Sequence, residues 1–314
     1  TGSMPVGATK ILSYRNWGFF VSRRRLMLTV LLGFATSLVY GFADFFGAIA
    51  SRRIRPVTVT AVSGAVGLIF LITLVPVFGF SFDSDALSWG IWAGVWSAVA
   101  MSCLYASLAL GPISIVSPLS AVISAIVPAA FGLYLGDTFS PWGYLAIVLL
   151  LIAVVLVGFV PGDDVRMPTP QALLLGAAAG AGIGAVLICL DQAPEASGLT
   201  PVIMLRAVSA SLLGLFLIAV LVRERGRVRA SESKKGMHRF WFAVAAAGLF
   251  DSSANVFFLL ASRTGSLTVV SVLTALYPLG TIILARVILK EKIARTQQVG
   301  IVLALAASAI LAIT

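Results

Sequence analysis

Long apolar runs follow one another along the chain, parted by short polar breaks. Ten runs, at about 26–50, 56–80, 87–110, 112–135, 142–160, 171–190, 200–222, 240–261, 266–289 and 297–314, are continuous in hydrophobicity rather than alternating. Roughly 20 apolar residues cross the ~30 Å hydrocarbon layer as a helix, and runs without period-two alternation do not fit barrel strands. The pattern therefore predicts ten transmembrane helices. Positions 111–112 and 263–266 leave almost no loop, so neighbouring helices must pair as antiparallel hairpins, and only 223–239 is a connection of any size. The first 26 residues form a polar, basic arm ending in Arg23, Arg24 and Arg25, expected to be disordered. The run after it is too long for a signal-peptide core of about 7–15 residues and is expected to remain as the first span, with Met27 a natural opening for the membrane domain.

The runs also repeat. A shift of 154 residues lays Gly111 on Gly265, Val116 on Val270, Ser117 on Ser271, Leu119 on Leu273 and Asp137 on Glu291, and brings "IVLLL" at 147–151 onto "IVLAL" at 301–305. Each unit, 27–160 and 171–314, then holds five helices. An odd number of crossings turns the second unit upside down relative to the first. The expected fold is an all-α membrane protein of ten transmembrane helices, arranged as two inverted five-helix repeats. Such repeats place a central site between their halves, as in alternating-access carriers.

Composition agrees with the pattern. Hydrophobic residues are 60% of the chain and charged residues 11%, with mean hydropathy +1.05, against about 45–50% and about 25% in a soluble domain. So much apolar surface requires lipid, and a multi-pass protein of the cell (plasma or inner) membrane is expected. The net charge of +10 would suggest nucleic acid in a soluble chain, but the basic residues cluster between the runs, as in loops retained by positive charge. No nucleic-acid partner is expected. Cys103 and Cys189 lie far apart within apolar runs, the lone His238 lies in a basic loop, and no phosphate-binding loop motif occurs. No metal, cofactor or ATP is implied.

The stretch "GPISIVSPLSAVISAIVPAAFGLYLGDTFSPWGY" resembles the fourth and fifth helices of an EamA domain, in the drug/metabolite transporter superfamily. Its second copy, "GSLTVVSVLTALYPLGTIILARVILKEKIARTQQVG", resembles it more strongly, with Glu291 closing the ninth helix. In the first copy Asp137 replaces the usual Glu, and Ala146 stands where Gly300 stands in the second. "YGFADFFGAIASRR" looks like the family's first helix, with Tyr40–Gly41 where Trp–Gly is common. The resemblance covers the chain from about residue 27 onward and implies transport of a small molecule; the family carries amino acids, other metabolites and drugs. It also implies cytoplasmic termini. The loops after helices one, three, five, seven and nine hold most of the Lys and Arg, including seven in 223–239, which by the positive-inside rule places both termini outside. The two warrants conflict.

Candidate chemistry sits within the runs. Asp251 lies at the centre of the eighth, where a carboxylate costs about 2.5–3.5 kcal/mol on insertion scales and usually faces a cavity or a partner. Asn255, four residues on, shares its face. Together they suit a polar substrate group or a carried proton; alternatively Asp251 tethers helices, with Arg206 of helix seven as partner. Asp44, in helix one, is placed to pair with Arg286 of helix nine, or else faces the cavity and titrates. A carboxylate kept from water takes up a proton more readily, as proton coupling requires. Tyr40, Trp96 and Tyr277, with Trp92 and Tyr105, are candidates for lining a pocket suited to amines or flat apolar groups, with core packing as the alternative. Pro118, Pro128 and Pro278 should interrupt helices four and nine, serving gating or static kinks. Asp137 and Glu291, at equivalent helix ends, suit a structural role, capping the first amides of the following helix. Small residues at 176–185 permit close helix packing.

The expected function is a secondary transporter, not an enzyme, that moves a small organic metabolite or drug by alternating access, with efflux the leading direction and import the alternative, and with H+ as the candidate coupling ion. Its partners would be that substrate and membrane lipid, in a monomer or homodimer. A channel or a non-transporting membrane scaffold is the alternative. A membrane enzyme is disfavoured because the histidine lies in a loop and because Asp44 and Asp251 are expected at different depths.

Overall fold

The computed structural model describes residues 6–51, 53–110, 113–158, 169–224, 237–290 and 294–313. Its helices are α1 (Val6–Ser51), α2 (Pro56–Phe78), α3 (Ser84–Leu110), α4 (Ile113–Leu135), α5 (Pro141–Gly158), α6 (Pro170–Asp191), α7 (Thr200–Glu224), α8 (Met237–Ser262), α9 (Leu267–Thr274), α10 (Pro278–Ile288) and α11 (Arg295–Ile313). Pro56, Pro141, Pro170 and Pro278 each open a helix, where the missing N–H costs nothing and φ is already suitable. Thr169 caps α6 by accepting from the Ala172 amide at 3.2 Å. Gly136, at φ +109°, follows the end of α4 in a conformation that side chains disfavour. Eight stretches are long and apolar enough to cross a membrane, and Leu119–Leu135 and Arg295–Leu311 are shorter apolar helices; together they match the ten runs.

Two expectations about elements need correction. Where a disordered basic arm is expected, α1 extends back to Val6, so polar residues continue the helix beyond its apolar portion. Pro118 and Pro128 do not interrupt helix four: α4 is continuous through both. Pro128 packs its ring on α6, where a Cβ on Gly184 would meet its Cδ at 2.9 Å, so a neighbouring helix supports the gap in the ladder. Among the described residues, only the ninth span breaks. Leu276 donates to Leu273 O (3.1 Å), Tyr277 to Thr274 O (3.1 Å) and Leu279 to Leu276 O (2.9 Å). These i−3 bonds replace i−4 bonds just before and after the proline.

Packing closes eight spans into a ring, α1–α8–α2–α7–α3–α6–α4–α9 and back to α1, which α10 also contacts. The helices α5 and α11 pair outside it, beside α4 and α1. Exchanging α1 with α6, α2 with α7, α3 with α8 and α4 with α9 maps the ring onto itself. This is the two-fold relation of the repeats, with the second unit inverted by its odd number of crossings.

Among the described residues, the ring is sealed at one end only. At the face where α2, α6 and α8 finish, Phe80 bridges Gly198 and Leu199 donates to Gly79 O at 3.0 Å. There too Thr200 Oγ1 accepts from the Ser81 amide at 2.8 Å, and the Thr29 and Thr264 hydroxyls meet at 3.0 Å. Arg263 donates to Gly198 O at 2.9 Å. Burial pulls its guanidinium below the ordinary arginine value, with Glu195 acting in the opposite sense. Beneath these contacts Leu187, Leu190, Val202, Phe258, Leu259 and Val270 belong to one buried cluster that joins α6, α7, α8 and α9. At this end α6 touches α8 and α9, and α7 touches α8. Among the described residues, the two-fold equivalents toward the other, basic face (α1 with α3, α1 with α4, α2 with α3) have no comparable packing, nor has α4 with α10. The interior therefore opens toward the basic face, where Ser51, Pro56 and Glu224 lie.

Candidate functional site within the ring

The Arg206 guanidinium, from α7, forms an ion pair with the Asp251 carboxylate of α8. In the ring α2 stands between α7 and α8, so the pair crosses the interior. Arg206 is 8% exposed and its Nε has no hydrogen-bond partner, while the Asp251 side chain keeps 34% exposure. One turn further, Asn255 Nδ2 donates to Asp251 O at 2.8 Å, and its Oδ1 accepts from Tyr40 Oη at 2.9 Å. Asn255 is thus a buried link between α1 and α8, with both ends of its amide engaged.

Tyr40 also lies within electrostatic reach of Arg206 and of Asp44, and Tyr277 within reach of Asp44. Asp44 follows Tyr40 by four residues and shares its helix face, which Tyr40 fixes as the interior face. Asp44 is exposed. The Phe250 ring stacks on Phe46 (5.6 Å) and meets Phe42 edge-on (5.7 Å). That places Phe250 level with the middle of the segment between Phe42 and Phe46, so Asp251 and Asp44 stand at similar depth. The expectation of different depths is corrected: the register of α8 against α1, set by Phe250 beside Phe42 and Phe46, brings the two together, and positions along single runs do not reveal it. Tyr277 is brought in by the break. A Cβ on Gly41 would collide with Tyr277 O and come within 2.6 Å of Gly280 Cα, and Thr281 Oγ1 donates to Gly41 O at 3.0 Å. Only glycine permits α1 and α10 to cross here.

The other candidates lie elsewhere. Arg286 does not pair with Asp44: it is exposed in the last turn of α10, nine residues and about 13 Å of helix rise beyond Tyr277. Asp137 is at the sealed face. Its Oδ2 accepts from the Thr268 amide at 3.1 Å and the Thr268 hydroxyl at 2.6 Å, so it caps α9 rather than the helix that follows it. The inverted repeat brings the start of α9 to the end of α4, closer than the start of α5. Glu291 falls outside the described residues. Trp96, on α3, is 40% exposed and has no polar contact with the group. Pro118 and Pro128 remain in α4 and Pro278 forms the break. Residues that sequence reasoning missed are Phe250, which sets the register of α1 on α8, Arg263 in the seal, and Thr274, whose buried hydroxyl beside the break lacks a partner. Phe250 and Arg263 carry no local signal, since neither spacing nor composition marks a partner on another helix.

Among the described residues no cluster of His, Cys, Asp and Glu suits a metal ion. A solved crystal structure, 17% identical, overlays with a TM-score of 0.70 over 90% of this chain and 95% of that one, a likeness of fold. An uncharacterized protein of Methanocaldococcus jannaschii is 29% identical over 129 residues, 40% of this chain and 93% of that protein, which is therefore about as long as one five-helix unit. The model of the EamA-like transporter family matches twice, at 27–159 and 170–313, the two units that the offset defines. With its long apolar helices, the molecule is a multi-pass protein of the cell membrane, and the chain belongs to the EamA-like transporter family.

Proposed function

We propose that this membrane transporter of the drug/metabolite type is a secondary carrier. It moves a small organic solute outward by alternating access, in exchange for protons. One observation carries this reading: a ring of two equivalent repeats is, among its described residues, sealed at one end only. Each helix of the seal has a two-fold counterpart at the other end, so a second state with the ends exchanged uses the same kinds of contact. A carboxylate open to the interior gives protons a group on which to act. Asp251, committed to Arg206, does not form a proton-sharing carboxylate pair with Asp44, which argues against aspartyl-type catalysis.

The test addresses motion without requiring a known substrate. In a protein with Cys103 and Cys189 replaced by alanine, Val270→Cys introduces one thiol into the seal, at a site with no exposure. Alternating access predicts slow, complete modification by a hydrophilic maleimide in nanodiscs. A thiol that stays unmodified for hours at 37 °C (about 310 K) would leave a static scaffold. Discrete single-channel currents in planar bilayers would favour a channel. Metabolite profiles of overexpressing and deleted cells, compared at two external pH values, test direction and proton exchange. Intracellular accumulation on overexpression would overturn efflux.

A further inference from the structure

Among the described residues, the charges inside the ring do not balance. Arg206 and Asp251 neutralise each other, and Asn255 is held by Tyr40 and by the α8 backbone. Asp44 is left over. Among the described residues it has no hydrogen-bond or ion-pair partner, it is exposed on the interior face of α1, and the groups within its electrostatic reach are the neutral phenols of Tyr40 and Tyr277. With Arg206, Asp251 and Asp44 ionised, the group carries one net negative charge.

Resting on the carrier reading above, we propose that Asp44, Tyr40 and Tyr277 form the subsite for an organic monocation, an ammonium head with an apolar or aromatic body. The ammonium sits against the Asp44 carboxylate, and the ring faces of the two tyrosines take the adjoining methyl or methylene groups, which bear part of the positive charge. A divalent metal ion wants about six or more oxygen ligands for calcium or near-ideal octahedral geometry for magnesium; one carboxylate and two phenols fall short. An anion would face the unpaired carboxylate, and the guanidinium of Arg206 is already engaged by Asp251. The α1–α10 crossing at Gly41 and Gly280 holds Tyr277 close to Asp44's helix. The subsite is thus built by one helix and one break, each set by backbone contact.

Binding to the full-length protein in nanodiscs, measured by calorimetry, tests this with three probes of similar body. These are phenethylammonium, benzyltrimethylammonium and 3-phenylpropanoate. The expected result is saturable binding of both ammonium ions and none of the carboxylate. Asp44→Asn should weaken ammonium binding by more than about tenfold, and Asp44→Glu should restore most of it. Equal affinity for 3-phenylpropanoate, or ammonium affinity within about twofold of wild type in Asp44→Asn, would overturn the assignment. Should Asp44→Asn not fold, Asp44→Glu together with the wild-type preference for cation over anion decides. Counterflow of labelled phenethylamine separates the two readings. Binding without counterflow keeps the subsite and removes the carrier, whereas counterflow of an uncharged solute unaffected by Asp44→Asn keeps the carrier and removes the subsite.

Discussion

Removing one half of the Arg206–Asp251 pair leaves the other charge in a ring interior with little else to answer it. Breaking a buried pair costs about 3–5 kcal/mol, while replacing both partners by apolar groups is often neutral. The one-third exposure of Asp251 puts this pair at the lower end. Asp251→Asn and Arg206→Met should therefore each lower thermal stability, and Arg206→Met/Asp251→Leu should be more stable than either. Thermal unfolding in one detergent checks this, and a double variant less stable than both singles would mean that other groups hold the pair. Asp251 was legible in the sequence because a carboxylate at the middle of an apolar run is costly, and Arg206 because it enters from the same side. The Asp44–Arg286 pairing does not form because Asp44 stands within reach of Tyr277, whereas Arg286 lies nine residues further along the chain, in the exposed last turn of α10.

At the scale of elements, the broken ninth span and the unbroken fourth are the clearest difference between the repeats. Both runs carry proline and the same apolar composition, so the sequence could not say which would break. What differs is support: α6 presents glycine to Pro128, whereas the backbone on either side of Pro278, at Tyr277 and Gly280, meets Gly41 of α1. The α9 half is held to α4 by the two hydrogen bonds from Thr268 to Asp137, with charge on the acceptor and the positive end of a helix dipole opposite it. Loss of such a cap costs about 0.5–2 kcal/mol. Because this contact belongs to the sealed state, Asp137→Ala should shift the population toward the opposite one. Val270→Cys should then react about tenfold faster, as a shift of about 1.4 kcal/mol requires. Unchanged reactivity would make Asp137 a static cap. The expected cap partner was the next helix, since a sequence gives neighbours along the chain and not across an inverted repeat.

For the whole molecule, the spans, the repeat and its inversion were all legible, because hydrophobic length and a gapless offset are properties of the chain itself. The ring order and the single seal were not, since every helix shows apolar residues to both lipid and neighbours. The seal is nevertheless where the repeat makes its sharpest demand. The α6 and α8 ends, at Asp191 and Ser262, belong to the packed end of the ring. Their two-fold counterparts, the α1 and α3 ends at Ser51 and Leu110, lie at the unpacked end. Rigid exchange between two states requires these separations to move in opposite senses, because the same helices close one end as they open the other. Spin labels at 191 and 262, and in a second protein at 51 and 110, should each give two distance populations by pulsed electron resonance. A condition that lengthens the first pair should shorten the second by a similar amount, and phenethylammonium, entering from the open basic face, should favour the long 51–110 distance. Single, unchanging distances for both pairs, or two pairs lengthening together, would mean that the sealed ring does not alternate, and the carrier reading would fail with it.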